Sequence, residues 1–191
     1  MSIKLVSVTL LGILILGSGC SSNNRIDVQQ ASEPEVIHGY TLPPEPDPVI
    51  NNSTLLGIDS NNNGVRDDVE IWILKKYKDR HPIYTEIAMQ AGRAWQKVLE
   101  DPSKAKETVV LVHNSLACEG YYKVCAKTYN DIVIKNDIVN NNYKKKIFNN
   151  NARKNAFWEY DKLLSGNSYT IPWCDESKIL CDFNTTKYTK Y

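Results

Sequence analysis

The sequence predicts a small all-α fold, a helical bundle, and three observations carry that prediction. Apolar residues recur at three- and four-residue spacing through most of the chain beyond residue 65. The breaks between those stretches hold helix-start and helix-stop residues: His81-Pro82, Asp101-Pro102-Ser103 and Ser165-Gly166-Asn167. Strand signals are scarce, because Val109-Val110-Leu111-Val112 and Ile132-Val133-Ile134 each sit inside a longer helical register.

The elements follow in order. Val65, Val69, Trp72, Ile73, Lys76 and Tyr77 give a helix over 65–78. His81-Pro82 ends it, since the residue before a proline is pushed out of the helical region. Pro82 then suits the first turn of a second helix reaching Leu99, with Ile83, Ile87, Ala91, Ala94, Trp95 and Val98 on one stripe. A third starts at Asp101-Pro102-Ser103 and turns Val109, Val112, Leu116 and Cys118 inward. The helical reading continues over 121–139, with Gly120 as a possible break, and stops at Asn140-Asn141-Asn142. A last helix is expected over 143–164, kinked or divided at Asn149-Asn150-Asn151, a run that favours caps over helix interiors. The tail beyond Ser168, with Trp173 and two cysteines, is expected to lie back on the bundle.

The front of the chain predicts an address. Lys4 precedes an apolar run over residues 5–16, too short to span a bilayer and suited to a signal peptide. It ends in Leu16-Gly17-Ser18-Gly19-Cys20, which resembles a lipobox. The resemblance implies cleavage after residue 19 and acylation of Cys20, each buried methylene adding about 0.8 kcal/mol of membrane affinity. Ser21, in place of Asp, implies sorting to the outer membrane, facing the periplasm. The alternative is an ordinary secretory leader followed by an unrelated Cys. The expected organisation is a signal peptide over 1–19, a lipidated N-terminus and proline-rich linker over 20–54, and a helical domain over 55–191. Pro43-Pro44-Glu45-Pro46-Asp47-Pro48 favours extended geometry, as a spacer or packed on the domain surface.

Charge excludes one class of partner. The chain has 23 Lys and Arg against 22 Asp and Glu, and loss of residues 1–19 removes Lys4 alone, leaving 22 of each. No basic excess draws the mature chain to nucleic acid. The lipid gives it a membrane, and a protein partner is open.

Of five cysteines, Cys118, Cys125, Cys174 and Cys181 remain once Cys20 is lipidated, an even count that suits two disulfides in an oxidising compartment. Both pairs are spaced by seven. On a helix that is a rise of roughly 10.5 Å, beyond the about 7 Å limit for a bridge. Two helical segments therefore cross-link to each other, antiparallel, as Cys118–Cys181 and Cys125–Cys174. A break at Gly120 would instead allow Cys118–Cys125. A four-Cys metal site lacks the CxxC spacing and a nearby His.

One segment carries chemistry. Asp59-Ser60-Asn61-Asn62-Asn63-Gly64-Val65-Arg66-Asp67-Asp68-Val69-Glu70 has oxygen-bearing side chains at positions one, three, five, nine and twelve, with glycine at six. A hard cation taking six to eight oxygens needs that alternation, and the sharp reversal at six favours a residue without Cβ. The segment resembles the twelve-residue calcium loop of EF-hand proteins. The resemblance implies Ca²⁺ held by Asp59, Asn61, Asn63, the carbonyl of Val65, Asp67 directly or through water, and both oxygens of Glu70. The alternative is an Asn-rich turn whose acids favour the helix N-terminus. Arg66 stands at position eight, where paired EF-hands carry an aliphatic residue. No incoming helix and no second loop are expected. The loop is thus closer to dockerin-like or repeat-type extracellular calcium loops than to a sensor, with structural calcium and an affinity of about 10⁻⁴ to 10⁻³ M. Residues 43–73, with the Leu164-Ser165-Gly166 stop and the Cys-bearing tail, also look like a group of uncharacterised bacterial exported proteins, a likeness that implies no activity.

No catalytic constellation is legible. His38, His81 and His113 lie apart, no HExxH, GxSxG or phosphate-binding glycine loop occurs, and Glu86, Glu107, Glu119 and Glu159 are scattered. Trp72, Trp95 and Trp158 read as core and rim, while Tyr121, Tyr122 and Tyr129 are a candidate binding surface. Three functions remain: a calcium-stabilised, non-catalytic envelope module that binds or scaffolds a partner; an immunity or inhibitor lipoprotein against a secreted toxin; and, least supported, a cell-wall or lipid hydrolase.

Overall fold

A computed structural model describes residues 33–166, 170 and 172–189. The expected signal peptide and the Cys20 lipidation site lie outside them. Among the described residues no helix is long and apolar enough to cross a membrane. The fold is mostly helical, with one two-stranded sheet, and residues from Pro34 onward form one unit that holds the whole buried core.

The chain enters as a hairpin, β1 (Val36–Ile37) and β2 (Tyr40–Thr41), antiparallel, with Val36 opposite Thr41. His38 and Gly39 turn it with φ of 54° and 88°, the pair of positive values that a tight two-residue hairpin requires. Two side-chain bonds hold the hairpin to the bundle. The His38 Nδ1 is 2.8 Å from Thr85 Oγ1, and the Tyr40 hydroxyl donates to Glu86 at 2.7 Å. Asp47 then caps α1 (Pro48–Asn52), whose Asn51 is buried and accepts from the Ile58 N–H. The described part of the expected linker is therefore tied to the helices through the hairpin and α1, whose Asn51 carbonyl accepts from Arg153, while Pro44, Glu45 and Asp47 between them stay exposed.

α2 (Asp67–Tyr77) starts at the acids of the loop, and α3 (Ile83–Glu100) is the central helix. Ile83, Ile87, Ala91, Val98 and Leu99 on α3 are buried, and it packs against α2, α4 and α6. Asp101 accepts from Ser103 N–H and Pro102 opens a short 3₁₀ turn into α4 (Ala105–Gly120), as the sequence predicts. Gly120 does not stop the chain. The helix widens into a π-turn over Tyr121–Cys125 and only then ends.

The expected helix over 121–139 is absent beyond that turn. Residues 126–140 run irregularly, with Asn130 at φ 57°. Buried side chains hold this course: the Asp131 carboxylate accepts from the Tyr121 hydroxyl and from Lys178 Nζ, and Glu119 accepts the N–H groups of Ile138 and Val139. These four bonds to two carboxylates outweigh the helical register of Ile132, Val133 and Ile134.

α5 (Asn141–Ile147) and α6 (Asn151–Leu164) replace the single last helix. Asn140 and Asn150 cap them, so the asparagine run is a boundary. α7 (Cys174–Ile179) lies against α4 and the π-turn. The disulfides are Cys118–Cys181 and Cys125–Cys174, the antiparallel pairing that helical spacing favours.

Candidate metal centre

The segment 59–70 is built by its own short-range bonds. Asp59 takes the N–H of Asn63 on one carboxylate oxygen at 3.2 Å and that of Gly64 on the other at 2.9 Å. Asn61 Oδ1 accepts from Asn63 N–H at 3.1 Å, and Asn63 Oδ1 from Val65 N–H at 2.9 Å. Asn62 and Gly64 sit in the left-handed region, with φ of 53° and 81°. Asparagine tolerates that conformation and glycine meets no penalty there. Side-chain oxygens at one, three and five are thereby turned onto the loop's own amides.

The exit of the loop is buried. Val65 is 1% exposed and packs on Gly92 of α3, where a Cβ would stand 3.1 Å from the valine methyls. Asp67 and Glu70 begin α2 with 1% and 0% exposure. Asp67 Oδ1 accepts from Ser60 N–H at 2.9 Å, while Glu70 Oε2 takes the side-chain amides of Asn63 at 2.8 Å and Asn61 at 3.1 Å. The other two oxygens, Asp67 Oδ2 and Glu70 Oε1, are buried without a partner. Burial pushes Glu70 above the usual carboxylate range, the Asn63 and Asn61 amides oppose it, and the charges of Asp67 and Asp59 add to it.

These residues fit a cation in two respects. Buried carboxylate oxygens left unpaired are costly, and a cation is their natural partner. Each asparagine Oδ1 has one lone pair on an amide and a second open. Among the described residues, however, no three His, Cys, Asp or Glu side chains gather as a metal-holding group. The three carboxylates do not suffice; the amides of Asn61 and Asn63 and the Val65 carbonyl have to complete the set.

Arg66, at position eight, has a part that sequence reasoning missed. It is fully buried, and its guanidinium pairs with Asp68 and donates to the carbonyls of Lys146 and Ile147 at 3.2 and 3.3 Å. It thus ties the loop to the end of α5. Arg153 on α6 is buried beside it and donates to the carbonyls of Leu55 at 2.8 Å and Thr54 at 3.1 Å, and to the Asn52 side chain. An arginine where a calcium loop has an aliphatic residue was the available signal.

The other candidates disperse. His81 is exposed, and burial lowers His113 from its ordinary value. Tyr121 and Tyr122 are core residues, so the tyrosines do not form a surface, and Glu119 is buried on α4. Comparison with protein-family models, curated proteins and solved structures finds no match for this chain.

Proposed function

We propose that this chain is a calcium-stabilised envelope lipoprotein, anchored through a lipidated Cys20 to the outer membrane and facing the periplasm, acting as a non-catalytic binding or scaffold module for a protein partner. One Ca²⁺ would be held by Asp59, Asn61, Asn63, the Val65 carbonyl, Asp67 and Glu70. When bound, the ion supplies charge neutralisation and fixes the start of α2. The observation that carries this reading is the pair of unpartnered buried oxygens, Asp67 Oδ2 and Glu70 Oε1, in the first turn of α2 beside an Asn-rich loop. The Asn61 and Asn63 amides occupy Glu70 Oε2 and have to yield as the carboxylate turns onto the ion.

The test is thermal melting of residues 21–191 with calcium, with magnesium and with chelator. Calcium at a hundred times its dissociation constant adds about 2.7 kcal/mol. For a domain of this size that is a rise of roughly 5–10 °C. Magnesium, which demands six ligands at short distances, should give less. Identical melts in all three conditions would remove the metal from the account. Palmitate labelling that survives Cys20→Ser would remove the anchor.

A further inference from the structure

A cavity of about 450 Å³ opens between α3, α4, α5 and α6, within the range of small-molecule sites. Its apolar wall comes from Trp95, Val109, Val112, Leu116, Phe157 and Leu164, and it shares no residue with the loop 59–70. Leu116 and His113 also line a neighbouring, more apolar hollow of about 480 Å³ bounded by Val110, Pro172 and Leu180. The apolar surface therefore runs on past the first cavity, as an elongated occupant requires.

Two donors in the wall lack a hydrogen-bond acceptor among the described residues. Trp95 is 4% exposed, and its indole N–H has no acceptor. A buried indole N–H ordinarily finds one. Lys144, half-buried on α5, lies 5.8 Å from the Trp95 ring centre and 5.9 Å from that of Phe157. No carboxylate among the described residues pairs with it. Both are donors, and one is a cation, so their complement is an anionic acceptor on an apolar body. Asp161 lines the α6 side, exposed and without a described cation partner.

We propose that this cavity binds an amphiphilic carboxylate with an alkyl chain. The chain lies along Val109, Val112, Leu116 and Leu164, and the carboxylate meets Lys144. Asp161 repels the head from the α6 side and so fixes the direction of entry. The Trp95 N–H is covered by its neighbours, and a carboxylate oxygen gains it after a small shift of the surrounding rings. The proposal gives the binding-module reading a ligand class and rests on that reading, but not on calcium.

The test is calorimetric titration of decanoate into residues 21–191, which keep the entire compact unit, in calcium and in chelator, below micelle formation. Decanoate is expected to saturate one site in both conditions. Decylammonium should bind at least about tenfold more weakly, and Lys144→Gln should weaken decanoate about tenfold with helix content unchanged. Leu116→Glu, at a half-exposed position, should abolish decanoate binding with helix content unchanged. Absence of saturable binding, equal affinity for decanoate and decylammonium, or unchanged affinity in Lys144→Gln would overturn the proposal. Hydrolysis of a decanoyl ester at this cavity would overturn the non-catalytic reading and leave the cavity's ligand class standing.

Discussion

Asn63 donates its side-chain amide to Glu70 Oε2 at 2.8 Å, while the other oxygen of that carboxylate lies buried with no partner. The loop thus holds half of Glu70 and leaves the other half exposed to the charges of Asp67 and Asp59. Glu70→Gln removes the charge that Asp67 and Asp59 repel and keeps an acceptor for Asn63. In chelator the variant should melt at or above the wild type, by about 2–4 °C for each kcal/mol of repulsion relieved. In calcium the order should reverse, because the variant loses its ligand charge. Melting curves in both conditions read the crossing; a variant below the wild type in chelator would show the charge is not strained.

Gly57 sits between the two buried arginines. A Cβ there would stand 2.3 Å from Arg66 Cδ and 2.9 Å from an Arg153 guanidinium nitrogen, and φ is +68°. Both arginines are pinned by several bonds and have little room to retreat. Gly57→Ala should cost about 2–4 kcal/mol from overpacking and the left-handed backbone together. Urea unfolding measures it, and a loss under about 0.5 kcal/mol would mean the arginine pair is mobile.

The two disulfides are nested, with sequence separations of 63 and 49 residues. Once one is formed, the other closes only the arms 118–125 and 174–181. On the chain-entropy model the second bridge then adds about 3 kcal/mol, and either alone about 4. Cys125→Ala with Cys174→Ala should therefore lower stability by about 3 kcal/mol in oxidised protein, and removal of all four cysteines by about 7. Equilibrium denaturation of the three proteins checks the non-additivity.

Glu119 sets a pH dependence. Burial pushes its carboxyl above the ordinary value of 4.5, against the stabilising N–H groups of Ile138 and Val139. A carboxyl raised in the folded state binds protons that the unfolded chain has released, so its contribution to stability is lost as pH rises from 4.5 through the folded value. Glu119→Gln should abolish that decline. Stability of both proteins from pH 4 to 7, with calcium fixed, gives the difference curve, and parallel curves would contradict the assignment.

Much of the fold was legible because local chemistry decides it. Asp101-Pro102-Ser103 and the asparagine caps at 140 and 150 start helices as their side chains dictate. The cysteine spacing of seven favoured a cross-link, and the cross-link is there. The segment 126–140 was illegible because Asp131 and Glu119 act on partners far along the chain, such as Lys178, and a helical period carries no trace of such bonds. For the segment before α1 the sequence left a spacer and surface packing both open, because the bonds that decide for packing, His38 to Thr85 and Tyr40 to Glu86, span more than forty residues. In the loop, glycine at six and the alternating oxygens were readable, whereas the inward turn of Arg66 depends on carbonyls that α5 supplies.

The most direct measurement is calorimetric titration of calcium into residues 21–191, beside Glu70→Ala and Asp59→Ala. One site is expected, with a dissociation constant of about 10⁻⁴ to 10⁻³ M, weakened at least about tenfold in either variant while helix content is kept. No binding heat up to about 10 mM calcium, or equal binding by all three proteins, would contradict it.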